Sequence, residues 1–467
     1  MTEINIVLFT NNLRLHDNTT IHKAQHEQEP WLGIYCFKPQ LYQKWLGMQR
    51  STPRRRKWLL DAVKHLKQTI EQKGGQLYIH KGTPQQALQN IRKEHKIKKI
   101  FIEKEPGTEE QELRQKLRQQ YIVETTHTTW LYNPEHTRIS PENTPHTFTQ
   151  FKKQVQKHNV KNPLPPPKEI HGTTITLPEP TPDKEIIQGN PTTPNQTNIP
   201  FEPTEKAALQ RLQTYTWDKK LPKTYKKTRN KLQGKNTTTK YSIWLAHGAI
   251  SPKKIYYETT QFEKQHGSNK STYWIKFELT WREFFRYQYR KHKENLYKKQ
   301  GIKQKNIPWT TNKKRLRAFK NAQTGYPLID AAIKELEQTG YMSNRARQNV
   351  ASFFTKNLHL DWRLGAAIFE KHLVDYDTAS NYGNWQYNAS IGNDSRPYRY
   401  FNIIKQSKRY NAANYIKTWI PELQHIPNKH VHTPWMYNQQ TLTKPKKWYP
   451  EPIVPFRESI NTFKQKF

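Results

Sequence analysis

Short apolar runs separated by longer amphipathic stretches open the chain: Ile4–Phe9, Trp31–Phe37, Gln76–His80, Lys99–Ile102 and Tyr121–Glu124 read as buried strands. Helical patterns fall between them. The clearest, Pro53–Lys73, sets Trp58, Leu59, Ala62, Val63, Leu66 and Ile70 at helical spacing and stops at Gly74-Gly75. Strands alternating with helices predict a parallel α/β sheet over residues 1–130. From about Leu131 the period dissolves, and Pro, Thr and Asn crowd between Asn162 and Pro203, including Pro165-Pro166-Pro167. Residues 131–203 are therefore expected to form an interdomain linker. Beyond Glu205 the spacing turns helical again, as in Tyr326–Gln338, where Leu328, Ile329, Ala332, Ile333 and Leu336 make one stripe. An all-α domain is expected over 204–467.

A length of 467 residues fits two domains better than one core. Only 33% of residues are hydrophobic, but 14 Trp, 25 Tyr and 18 Phe supply large surfaces to bury. The formal net charge of +40 favours polyanionic partners and salt-dependent binding, with nucleic acid first among them. A lysine-rich solvated surface explains the same excess without a partner. One cysteine, Cys36, excludes an intramolecular disulfide framework and an all-cysteine metal or iron–sulfur site. No apolar run of about 18 residues occurs, so neither a signal peptide nor a membrane span is predicted, and a soluble cytoplasmic protein is expected.

Two constellations carry chemistry. Tyr225 to Asn230, followed by Thr238, Thr239, Lys240 and Ser242, concentrates hydroxyls and cations ahead of a helical run. That suits a pyrophosphate; a Ser/Thr-rich helix cap with solvated lysines is the plain alternative. Asn344, Arg345, Arg347, Asp375, Asp377 and Asn381 then combine amides, guanidinium and carboxylates with Trp362 and Trp385. Polar groups for the edge of a ring, mixed with oxidisable indoles, point to a buried aromatic cofactor; a salt-bridge network at a helix junction would use the same residue types.

The run from Thr339 to Phe401, TGYMSNRARQNVASFFTKNLHLDWRLGAAIFEKHLVDYDTASNYGNWQYNASIGNDSRPYRYF, resembles the flavin-binding core of the photolyase/cryptochrome family, in its DASH cryptochrome branch. The resemblance spans about residues 4 to 456 and is dense from Tyr225 to Tyr410. It implies a Rossmann-like antenna domain followed by an all-α FAD-binding domain. It assigns Tyr225, Thr238, Thr239, Ser242 and, less closely, Lys240 to the FAD phosphates. Arg347 would pair with Asp375 beside the flavin, with Asn344 in the same site, Asp377 at the pyrimidine edge and Asn381 near N5. Trp309, Trp362 and Trp385 would form an electron-transfer row running from the protein surface to the flavin. Phe319 stands where a tryptophan is usual.

In Glu278-Leu-Thr-Trp281-Arg282-Glu283 the resemblance implies the pocket helix for a pyrimidine dimer, with Glu278 and Trp281 on one face. Gln348 stands where duplex-repairing enzymes usually carry Met, and Tyr387 where they usually carry a second pocket Trp. Arg396, Arg399 and Lys405 are expected to meet DNA phosphates. A more polar pocket lowers the energy available to extract a dimer from a stable duplex, so damaged single strands become the expected substrate. Looser similarity in the first domain implies a methenyltetrahydrofolate antenna with Glu109 or Glu110 as a contact, although Thr10 and Asn12 replace the Arg and Asp usual in its opening motif. The function implied is a monomeric, blue-light-driven DNA photolyase, with non-specific duplex or RNA binding as a consequence of charge and no metal site. A signalling photoreceptor using the same flavin and tryptophans is the alternative. A single-strand-binding protein without catalysis is a third reading, and 6-4 photoproduct repair fits less well because Asn344 stands near the place where a histidine is expected.

Overall fold

The computed structural model describes residues 2–172, 175–191, 201–396, 399–438 and 449–466. Five strands, β1 (Glu3–Phe9), β2 (Trp31–Phe37), β5 (Leu77–Lys81), β6 (Lys96–Glu103) and β7 (Ile122–Thr126), pair in parallel in the order β5-β2-β1-β6-β7. Between β2 and β5 lies a small antiparallel hairpin, β3 (Lys44–Trp45) and β4 (Met48–Gln49). β2 is buried at every position and is flanked by β1 and β5, which explains its unbroken apolar run. Helices α1 (Thr19–Gln25), α2 (Pro53–Glu71), α3 (Pro84–Arg92) and α4 (Thr108–Arg118) make the crossovers. Thr52 caps α2 by accepting the Arg55 N–H, with Pro53 at the first helical position.

Residues 131–203 contain α5 (Pro134–Thr137), α6 (Phe148–Val155) and α7 (Asp183–Ile187). Residues 173–174 and 192–200 of that segment lie outside the described residues. Phe148, Phe151 and Val155 of α6 pack into the core of the helical domain, so this part of the segment is structured rather than a bare tether.

The helical domain holds α8 (Glu205–Gln213), α9 (Tyr225–Thr228), α10 (Ser242–Leu245), α11 (Pro252–His266), α12 (Lys270–His292), α13 (Lys313–Lys320), α14 (Pro327–Thr339), α15 (Asn344–Lys356), α16 (Trp362–His372) and α17 (Thr378–Ala389). It closes with α18 (Ile403–Arg409), α19 (Ala413–Trp419), α20 (Pro434–Asn438) and α21 (Phe456–Lys466). Its core is the largest in the molecule and joins α12 and α14–α17. Among the described residues, no helix is long and apolar enough to cross a membrane.

Buried polar groups lock the two domains. Arg14 donates to the carbonyls of His16, Asp17, Thr128 and Gly248, the last at 2.8 Å. Glu205 accepts the N–H groups of Leu15 and His16. Gly248 has φ +77, and a Cβ there would fall 1.8 Å from the Asn11 carbonyl oxygen, so both conformation and close approach require glycine. Asn12 is satisfied locally: its Oδ1 accepts the Thr10 N–H and its Nδ2 donates to Thr20.

Candidate functional site

Helix α12 runs 23 residues from an Asn269–Thr272 capping box and carries one wall of a cleft of about 1050 Å³. The opposite wall comes from the start of α15 and the α16–α17 junction, which bring in Asn344, Arg347, Asp375 and Asp377. A loop supplies the end wall with Thr238, Thr239, Lys240 and Ser242, and Tyr225 stands beside it. A second cavity, lined by Gln348, Asn381 and Trp385, shares Asn344, Arg347, Asp375 and Asp377 with the cleft and continues it inward.

The hydroxyl loop is organised by a residue that sequence reasoning missed. Arg211 of α8 donates to the carbonyls of Lys235, Thr238 and Thr239 and to Asn236 Oδ1, tying the carbonyls back and holding the loop's shape. Only its distance in sequence from the loop hid it. Burial holds the Tyr225 phenol well above its usual range. Lys240, with φ +62, is buried and turns its ammonium to 4.4 Å from the Tyr341 ring centre.

Across the cleft, Arg347 Nη2 donates to both Asp375 oxygens at 2.9 and 2.8 Å, and its Nε donates to the Met342 carbonyl. Asp375 keeps 1% of its side chain exposed, Arg347 24%. Asp377 caps α17 by accepting the Ser380 N–H at 2.7 Å. Asn381 Nδ2 donates to the Ala366 carbonyl. Arg345 turns away, donating to Asn230 and lying 4.7 Å from the Tyr410 ring centre.

The cleft has room and chemistry left over. Thr238 Oγ1 lines it and Gln348 Oε1 lines its inward continuation; both are buried and have no hydrogen-bond partner among the described residues, while Asn344 is exposed to the cleft. Hydroxyls at one end, an Arg–carboxylate pair and amides at the other, and unpartnered polar atoms between fit a dinucleotide with a polar aromatic ring system.

On the α12 wall, Glu278 pairs with Arg229 at 2.6 Å, and burial outweighs that cation in raising the carboxyl's pKa. Trp281 stacks on Phe148 with ring centroids 3.8 Å apart and planes 3° from parallel, and meets Tyr387 edge-on at 5.8 Å. Arg399 lies 5.5 Å from the Tyr387 ring centre, and both Arg396 and Arg399 pair with buried Asp394. Arg282 lines the cleft, but its guanidinium is engaged inward by the Thr129 carbonyl and Glu283. Lys405 lies in the first turn of α18, where the capping Asn402 accepts its backbone N–H.

The three indoles are all in the core. Trp362 and Trp385 are 0% and 2% exposed, and Trp309 is 7% exposed, more enclosed than a surface terminus. Trp385 lies against Phe369 and Phe354, and Trp362 meets Tyr382. Phe319 packs edge-on to Phe354 at 4.7 Å.

A separate cavity of about 1040 Å³ lies between the domains and includes Glu109, Glu110 and Asp377. Arg50 bridges it, holding Glu109 at 2.7 Å and Glu370 at 2.6 Å. Glu105, also missed, pairs there with Arg286 through one oxygen while the other has no partner among the described residues. Burial pushes its carboxyl up to about 7 against the pull of Arg286.

The FAD binding domain of DNA photolyase matches residues 274–467, and the DNA photolyase domain matches residues 5–168. The DASH cryptochrome of Synechocystis sp. is 38% identical, over 97% of this chain and 96% of its own length. That of Xenopus laevis is 37% identical over 99% and 91%. The chain belongs to the photolyase/cryptochrome family, in its DASH cryptochrome branch. The crystal structure of the Synechocystis cryptochrome superposes with a TM-score of 0.95 at 36% identity, covering 100% of this chain and 99% of that one. A bacterial class III photolyase from Agrobacterium tumefaciens gives 0.87 at 26% identity, covering 100% and 97%. The expected architecture, a parallel-sheet domain followed by a helical FAD-binding domain, is thus the observed one. The matched FAD-binding region contains the Arg347–Asp375 wall, whereas the hydroxyl loop lies upstream of it.

Proposed function

We propose that this protein uses blue light to split cyclobutane pyrimidine dimers, preferentially in single-stranded or looped DNA. The observation that carries the reading is the shared cleft: Glu278, the candidate lesion-binding carboxyl, lines the same cavity as Tyr225, Asn344, Arg347 and Asp375. When bound, reduced FAD supplies the photoexcited electron that opens the dimer and receives it back. The hydroxyls of Thr238, Thr239 and Ser242 hold its phosphates, and the Arg347 guanidinium, Asp377 and Asn381 orient its ring. Glu278 donates a hydrogen bond to a thymine carbonyl in its acid form, which burial favours.

Single-strand preference follows from the grip on the lesion. One face of Trp281 is already covered by Phe148, and the position opposite offers the smaller ring of Tyr387. Less stacking energy is then available to offset unpairing in a duplex. Trp385, Trp362 and Trp309 supply electrons that restore the reduced cofactor. The interdomain cavity at Glu109 and Glu110 takes the antenna, methenyltetrahydrofolate. The protein acts as a monomer in a reducing, cytoplasmic setting, in keeping with its one free, buried cysteine. The +40 charge adds weaker, salt-sensitive binding to duplex DNA or RNA.

The deciding experiment is blue-light repair of one thymine dimer in the same oligonucleotide, as single strand and as duplex at matched salt. Repair confined mainly to the single strand supports the reading. Equal repair removes the strand preference, and no repair by FAD-loaded protein shifts the function to a light sensor.

A further inference from the structure

Trp362 has a ring neighbour that the three-tryptophan row does not use. Tyr382 stands edge-on to it, with centroids 6.0 Å apart and planes at 85°, and is 1% exposed. The Tyr382 hydroxyl donates to Glu370 Oε2 at 3.2 Å. Arg50 Nε holds the other Glu370 oxygen at 2.6 Å. Tyr297 completes the group, 4.8 Å from Tyr382 and 6.4 Å from Trp45 between ring centres. Trp45 sits on the β3–β4 hairpin and is 37% exposed. Aromatic contacts therefore run without a break from buried Trp362 to solvent at Trp45, whereas Trp309 keeps only 7% of its surface open.

Resting on the reading that Trp385 and Trp362 feed electrons toward the flavin, we propose that Tyr382 is a proton-coupled electron donor to Trp362, with Glu370 as its base and Trp45 as its opening to solvent. The primary oxidant is oxidised flavin excited by blue light. One electron leaves Trp385, Trp362 refills Trp385, and Tyr382 refills the Trp362 cation radical. As Tyr382 loses its electron, its phenolic proton moves to Glu370 Oε2, leaving a neutral tyrosyl radical beside a protonated carboxyl. No bond between heavy atoms forms or breaks. Burial keeps the Tyr382 hydroxyl protonated until that moment, so electron and proton leave together. A thiol reductant meeting Trp45 closes the cycle: it gives up one electron and releases its proton to water, and Glu370 returns the stored proton to Tyr382. A Trp radical alone has no such proton acceptor here, because the Trp362 Nε1–H donates to the Lys299 carbonyl.

The test is time-resolved absorption and electron paramagnetic resonance on the FAD-loaded full chain after a blue flash. A tyrosyl radical that grows as a tryptophanyl radical decays, more slowly in heavy water, is expected. Tyr382→Phe should lose the tyrosyl signal, and Glu370→Gln should slow its formation severalfold while keeping the ring. Trp45→Phe should still form the radical but lose the acceleration of its decay by added thiol. If Tyr382→Phe does not retain flavin, Glu370→Gln and the isotope effect decide. Tryptophanyl radicals alone, unchanged in Tyr382→Phe, would overturn the branch and leave the tryptophan row standing. Absence of any protein radical would overturn both.

Discussion

Gly365 lies against the indole of Trp385: a Cβ added to Gly365 would fall 2.2 Å from Trp385 Cη2 and 2.5 Å from Cζ3. Gly365 is three residues beyond Trp362 on α16, so this contact seats the Trp385 indole of α17 against α16 one turn along from Trp362. The ring has no room to retreat, with Phe369 and Phe354 edge-on at 5.0 and 5.6 Å. Gly365→Ala should cost about 1–3 kcal/mol through overpacking and displace the indole. Thermal unfolding reads the first effect and the flash-induced tryptophanyl signal the second. A variant that melts and responds like the parent would show that α16 and α17 separate easily.

Arg347 and Asp375 form a pair on the cleft wall in which the carboxylate is the more deeply buried partner. Arg347→Ala leaves an unpaired buried carboxylate, a loss of about 3 kcal/mol, together with weaker FAD retention. Adding Asp375→Asn should recover part of the stability and little of the FAD. Urea unfolding and the flavin-to-protein absorbance ratio separate the two. Full recovery of both by the double variant would make the pair purely structural.

Much of this architecture was legible from the chain because its signals are local. The β2 run Trp31–Phe37 coincides with its strand because every position is buried, and α2 starts at Pro53 as the spacing indicates. The cleft residues were legible as candidate ligands of a phosphate and of a polar ring from their chemistry, and their individual roles through their resemblance to a family. What stayed hidden depends on contacts across long sequence separations. Arg50 meets Glu370 from 320 residues away, and Arg14 reaches the Gly248 carbonyl across 234. α6 was obscured for a different reason. Its apolar positions Phe148, Phe151 and Val155 span barely two turns among Thr, Gln and Lys, and the helix is stabilised by the domain it packs on.

Glu278 separates lesion binding from cofactor binding. Glu278→Ala should lower repair yield far more than flavin absorbance, while Glu278→Gln, which keeps a hydrogen-bond donor, should retain more of the repair. The parent carboxyl has a raised pKa, so its donating acid form predominates below that value and is lost as pH rises through it. Repair by the parent should fall over that interval, and repair by Glu278→Gln should stay level. Identical pH profiles would remove Glu278 from the chemistry.

His247 makes the domain junction acid-sensitive. Its ring is buried, with Nε2–H donating to the Pro203 carbonyl at 2.8 Å and Nδ1 without a partner among the described residues, and its own carbonyl accepts the Leu13 N–H. Burial lowers its pKa to about 4, below the ordinary 6.5. Between those values the unfolded chain binds a proton that the folded chain refuses. The contribution to stability is therefore full above pH 6.5 and lost as pH falls to about 4, about 3 kcal/mol in all. His127 and His292, also lowered to about 4, slope the same way, whereas Glu105, raised to about 7, and Asp330, raised to about 6, slope oppositely because the folded chain holds their protons. The total curve thus mixes signs, and the difference between parent and His247→Gln isolates one group. Urea unfolding should show the variant less stable than the parent at pH 7 and the gap narrowing or reversing at pH 4.5. A gap independent of pH would mean that the imidazole is solvated in the folded protein and that the junction opens more readily than its packing indicates.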